Sequence, residues 1–146
     1  MKLIDKIASR INANLKLKER LKLQGKSSFL ESVNHAMDGI TYTKRKERNF
    51  KIELFMMILV LVASIYFKVS HIELLILLLT IGCVLALELI NTAIERCVDL
   101  VTKDYHELAK YAKDVSAGAV FIMSIFSVFI GIIIFLPRII EMMGVN

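Results

Sequence analysis

The chain of 146 residues is 56% hydrophobic and 23% charged, carries a formal net charge of +5, and contains one proline and no tryptophan. Its apolar residues are gathered into blocks instead of recurring as faces along every helix, which excludes a single soluble core and marks an integral membrane protein. No nucleic-acid partner is expected, because the basic excess sits beside apolar blocks and suits an anionic membrane surface.

In chain order, Leu3, Ile4, Ile7, Ile11 and Leu15 recur at helical spacing among Lys2, Lys6, Arg10, Lys16 and Lys18. This pattern predicts a basic amphipathic helix on an anionic inner leaflet. After Gly25 and Ser28 a second amphipathic run places Phe29, Val33, Ala36, Met37 and Ile40 on one face. An arm that only solubilises the chain or sets its topology is the plainer alternative. The first 25 residues lack an apolar core, so no cleavable signal peptide is expected. Residues 1–27 are read as a basic N-terminal extension, 28–138 as the main domain and 139–146 as a short tail.

Three transmembrane helices are expected, at about 50–67, 72–94 and 115–136. Residues 115–136 contain no charge and reach about 33 Å, enough to cross roughly 30 Å of hydrocarbon. Residues 54–67 are uncharged but short, and span only if Lys51 and Glu53 turn to headgroups or to partners. The second span must include Glu73 near one face and Glu88 near the other. Between the first two spans lie only residues 68–71, so these helices form an antiparallel hairpin.

Thirteen of the 19 Lys and Arg residues precede Leu54, and Arg96, Lys103, Lys110 and Lys113 follow the second span, against Lys68 alone in the short turn and Arg138 alone in the tail. The positive-inside rule therefore makes the N-terminus and the 96–114 loop cytoplasmic. The expected location is a membrane crossed several times, with both of these segments on its inner face.

The second span ends in LALELINTAIERCVDL, with Glu88, Glu95 and Asp99 within about 40° of one another around a helix and Asn91 and Thr92 beside them. If the hydrocarbon begins near Ile72, Glu88 lies roughly 6 Å inside the inner boundary and Glu95 in the headgroup layer. Desolvation there disfavours the charged form of Glu88, which suits it to act as general base for a lipid hydroxyl. Glu95 is solvated enough to stay ionised and to hold a hard divalent cation. Past it, Lys103, Tyr105, His106, Lys113 and Asp114 supply cations and rings that can contact a triphosphate and a base.

Other signals carry less. Gly25-Lys26-Ser27 lacks the first glycine of a phosphate-binding loop, since position 20 is Arg20. Cys83 and Cys97 are about 21 Å apart along one helix and cannot bridge within a chain. His106-Glu107 lacks a second histidine at Lys110. Intramembrane acids also mark ion and proton paths, and Glu95 beside Arg96 or Asp99 near Lys103 can be ordinary helix-end pairing. From pattern alone a lipid-modifying enzyme, a small ion or proton transporter and a structural protein all stay open.

The run ELINTAIERCVDLVTKDYHELAKYAKDVSAGAV at 88–120 resembles the signature of the prokaryotic diacylglycerol kinase family, an E-x-x-N-[ST]-A-[IV]-E core followed by a short loop and an AKD. The resemblance extends upstream through Gly39 and the ERNF at 47–50, and downstream to the IIFLPR at 133–138. Those outer stretches look like the undecaprenol kinase branch.

The resemblance implies an all-α homotrimer of three-span subunits with a cytoplasmic surface helix. It implies ATP-dependent phosphorylation of a membrane lipid alcohol, undecaprenol first and diacylglycerol as the alternative. Glu88 becomes the catalytic base and a substrate-binding residue together with Ala117. Glu47 and Glu95 bind Mg²⁺, and His35, Glu47, Asn91, Glu95, Asp104, Tyr105, His106, Lys113 and Asp114 bind ATP. Mg²⁺ and Lys113 would neutralise the γ-phosphoryl group while Glu88 takes the hydroxyl proton. The small residues Ser116, Ala117, Gly118 and Ala119 would let helices approach, between subunits or within one.

Overall fold

The computed structural model describes Lys16 and residues 29–144; the helix expected around residues 3–15 lies outside the described residues. Among the described residues from 29 on, four helices follow in order: α1 (Phe29–Lys46), α2 (Arg48–Tyr66), α3 (His71–Val101) and α4 (Glu107–Met142). Residues 40–146 make one compact unit and the part of α1 before it belongs to another. The last three helices are long and apolar enough to cross a membrane.

α1 carries Glu31 in its first turn and Lys44, Arg45 and Lys46 in its last, each sign opposing the helix dipole at that end. Phe29, Leu30, Val33 and Met37 are exposed on it. One residue separates α1 from α2: Glu47, extended at φ −96° and ψ 126°, whose backbone N–H still donates to the Thr43 carbonyl at 2.8 Å.

The α2–α3 turn is built from standard terminal chemistry. Lys68 takes φ 49°, the left-handed conformation that ends many helices, and the N–H groups of Lys68 and Val69 donate back to Ile65 and Ser64 at 3.3 and 3.1 Å. Ser70 then opens α3 with a capping box: Glu73 N–H donates to Ser70 Oγ, and Ser70 N–H donates to Glu73 Oε2 at 2.7 Å. Arg138 of α4 donates through Nη2 to the same Glu73 oxygen at 2.8 Å, and through Nη1 to the Ile134 carbonyl at 2.5 Å. The second contact lies in the turn that contains Pro137. This end of the bundle is tied by side chains that satisfy one another.

α3 packs against α2 and, more extensively, α4. Among the described residues Phe50, Leu77, Val84, Val120 and Ile134 are the buried apolar ones, while Thr43, Ser64, Thr80, Glu88, Asn91, Thr92 and Ser116 are buried polar ones. Among the described residues polar side chains thus outnumber apolar ones inside, and Ile, Leu, Val and Phe cover the outside, the arrangement a lipid solvent permits and water does not. Ser64 and Thr80 bond the carbonyl four residues back, each at 2.7 Å, so these hydroxyls need no partner on another helix.

The helices run longer than the expected spans. α3 has 31 residues and α4 has 36, or about 46 and 54 Å, because both helices continue past the apolar layer where hydropathy no longer marks them. The expected 96–114 loop shrinks to residues 102–106. Of the small residues opening the third span, Ser116 is buried against α3, whereas a Cβ added to Gly118 would meet nothing within 4 Å.

Candidate active site

Glu88 lies on α3 and is only 3% exposed. Asn49 and Glu53 of α2, Asn91 of α3 and Ala117 and Ser124 of α4 line the same cavity, of about 320 Å³. Ile52, Glu53 and Ser124 also border an apolar groove of about 590 Å³ that runs between the three helices as far as Phe135 and Ile139. A buried carboxylate therefore faces a space whose continuation can take an apolar chain.

Asn91 is held from both sides. Its Oδ1 accepts from Ser116 Oγ at 2.6 Å and its Nδ2 donates to Glu95 Oε1 at 3.2 Å. Ser116 Oγ is also 2.9 Å from the Lys113 carbonyl, so one hydroxyl proton serves two acceptors. These bonds tie the α3 core of the site to the first turns of α4.

Next to this group a chain of charges crosses three helix ends. Glu47 accepts from Arg96 Nη2, Arg96 Nη1 lies 3.6 Å from Asp99 Oδ2, and Lys113 Nζ donates to Asp99 Oδ1 at 2.5 Å. The Tyr42 ring centroid is 5.8 Å from the guanidinium carbon.

The structure thus brings together Glu88 with Ala117, Asn91 with Glu95, and Glu47 with Lys113 through Arg96 and Asp99. Asp114 pairs with Lys110 at 4.0 Å on the same helix. Asp104, Tyr105 and His106 stand exposed in the 102–106 turn, and His35 is exposed on α1. Two expectations change. Asp99 takes Lys113 across the turn instead of Lys103 at i+4, because α4 starts early enough to present its own lysine. Glu53 turns toward the Glu88 cavity, with its Oε2 buried and without a hydrogen-bond partner among the described residues. Its place six residues after Glu47 was the available signal, and the short apolar run hid it.

Four carboxylates bear on this end of the bundle. Glu47 and Glu95 act as like charges on Glu88, and Glu53 and Glu88 act on one another. Among the described residues the single ion pair these four make is Glu47 with Arg96. Surplus negative charge of this kind suits a hard divalent cation bound by oxygen. No three His, Cys, Asp or Glu side chains among the described residues form a ready metal cage.

Three apolar helices with a polar, carboxylate-rich cavity at one end and an apolar groove leading from it define a membrane-embedded enzyme that works on lipids. The model of the prokaryotic diacylglycerol kinase family matches residues 34–135. The undecaprenol kinase of Bacillus subtilis (strain 168) is 46% identical over 110 residues, 75% of this chain and 89% of that one. A diacylglycerol kinase of Synechocystis sp. is 40% identical over 117 residues, 80% of this chain and 67% of its own, and that of Escherichia coli (strain K12) is 29% identical over 104 residues, 71% and 85%. The chain belongs to the prokaryotic diacylglycerol kinase family and is a lipid kinase, with ATP as phosphoryl donor.

Proposed function

We propose that the protein transfers the γ-phosphoryl group of ATP to the hydroxyl of undecaprenol, giving undecaprenyl phosphate and ADP. The observation that carries the site is Glu88, buried in a cavity that opens into an apolar groove. The lipid tail would lie in the groove and its hydroxyl beside Glu88. Glu88 takes the hydroxyl proton, the lipid oxygen bonds to the γ-phosphorus, and the bond from that phosphorus to the β,γ-bridging oxygen breaks. Asn91 keeps Glu95 in place through the amide bonded to Ser116. Mg²⁺, when bound, would supply charge neutralisation to the phosphates, with Glu47 and Glu95 as its protein ligands. Lys113 would meet the phosphates, Asp114 and the 102–106 turn the nucleotide. Burial of Glu88 away from bulk water also limits transfer to water.

The greater identity to the Bacillus subtilis enzyme favours undecaprenol over diacylglycerol as acceptor. The lysines and arginines before Leu54 support a cytoplasmic N-terminus and a cytoplasmic active site, facing the ATP pool. The exposed apolar residues of α1 support a helix lying on the inner leaflet, and the open surface around Gly118 supports close packing between subunits of a homotrimer.

Transfer of labelled γ-phosphate from Mg-ATP to undecaprenol and to diacylglycerol, in parallel in mixed micelles, tests this reading. Labelling of undecaprenol that Glu88→Gln abolishes is the expected result. Preference for diacylglycerol would replace the acceptor, and labelling of neither lipid would sink the assignment.

A further inference from the structure

The reaction above gives Arg96 no task, although it stands beside Glu95. A guanidinium carries five N–H donors in one plane. Here Nη2 meets Glu47, Nη1 is 3.6 Å from Asp99, and Nε is buried with no acceptor among the described residues. A structural ion pair with one carboxylate would commonly use two nitrogens of the fork; Glu47 uses one. The side chain remains 41% exposed, and Nη1, at 3.6 Å from Asp99, makes no hydrogen bond to it.

Its neighbours point to the kind of ligand. Lys113 Nζ sits on the other oxygen of Asp99 at 2.5 Å, so two cations lie within 4 Å of one carboxylate. The Tyr42 ring rests against the guanidinium and limits its swing. An arginine fork with a spare buried donor, coupled to a lysine and adjoining two carboxylates suited to a divalent cation, matches an anion rich in acceptor oxygens and carried with a metal. A nucleoside polyphosphate is such an anion. A monoanionic lipid headgroup would engage one cation and leave the other on Asp99.

We propose that Arg96 is a polyphosphate-binding residue of the nucleotide site: it holds Glu47 before nucleotide arrives, then gives its fork to phosphate oxygens and releases the Glu47 carboxylate. This rests on the kinase reading. The Glu47 carboxylate that loses its guanidinium gains access to the metal that accompanies the phosphates.

The test uses the full chain in mixed micelles with two readouts, steady-state kinetics with ATP varied and binding of a fluorescent ATP analogue in excess EDTA. Arg96→Gln is expected to raise the KM for ATP roughly tenfold with kcat within about threefold of the parent. Metal-free binding of the analogue should weaken by a similar factor. Arg96→Lys, which keeps the charge and loses the fork, should fall between; it carries the test if the glutamine variant fails to assemble. Unchanged KM and unchanged metal-free binding would overturn the proposal. A raised KM with intact metal-free binding would also overturn it, because Arg96 would then act only through Glu47 and the metal. Absence of phosphoryl transfer by the parent protein would instead remove the kinase reading, while the metal-free arm still judges Arg96.

Discussion

The two ends of the bundle each join α3 to a neighbouring helix by ionic contacts, and they differ in what those contacts leave over. At the Glu73 end, one carboxylate meets a capping backbone N–H and one arginine, and that arginine also covers a carbonyl beside Pro137. At the Glu88 end, carboxylates exceed the cations paired with them, Glu53 keeps a buried oxygen without a partner, and Arg96 keeps a buried donor. A closed network fixes geometry, and an open one stores interaction capacity for a ligand. Buried groups left short of partners in an otherwise satisfied fold are where binding free energy is available.

The sharpest way to break this comparison is at Glu88. Glu88→Gln is expected to lower kcat by at least about a hundredfold while the protein still inserts and keeps its helical circular dichroism; full activity would show that the buried carboxylate is only structural. Next in size is Asn91→Ala, which frees both Ser116 and Glu95. Activity should fall by roughly tenfold or more, with about 1 kcal/mol of stability lost with the two hydrogen bonds, since Ser116 keeps the Lys113 carbonyl, read by activity assay and by thermal unfolding in the same detergent. At the opposite end, Arg138→Met should lower the unfolding temperature yet leave KM for ATP and kcat unaltered. A kinetic effect there would mean that the two ends are coupled. Smallest is Lys68→Gly, which relieves a left-handed side-chain conformation and should raise stability by less than about 1 kcal/mol; a loss would indicate that the lysine does more than turn the chain.

The same contrast explains what the sequence disclosed. Three spans were legible because apolar blocks of membrane length have few other readings, and Glu88 stood out because an acid inside such a block is costly. The pairing of charges was not legible. Asp99 looked suited to Lys103 at i+4, but its partner Lys113 lies 14 residues on, across a turn whose length hydropathy could not give. Arg96 and Glu47 are 49 residues apart, and only the packing of α2 against α3 brings them together. Glu53 stayed open between headgroups and partners for a related reason: at a membrane boundary, a carboxylate facing headgroups and one facing a cavity share the same sequence surroundings. Residues 88–120 and the outer matches carried the family because a dense motif records long-range geometry that periodicity does not.

The single extended residue between α1 and α2 has one more consequence. Glu47 is at once a covalent joint and the carboxylate that meets Arg96. One residue inserted on its α2 side would turn that carboxylate about 100° around the α2 axis, out of reach of its partner. The same insertion in the exposed 102–106 segment would only lengthen a turn. The joint thus works as a ruler and the turn as slack, so a scan of single-alanine insertions along the chain should show a sharp intolerance at 46–48 and a permissive window at 102–106.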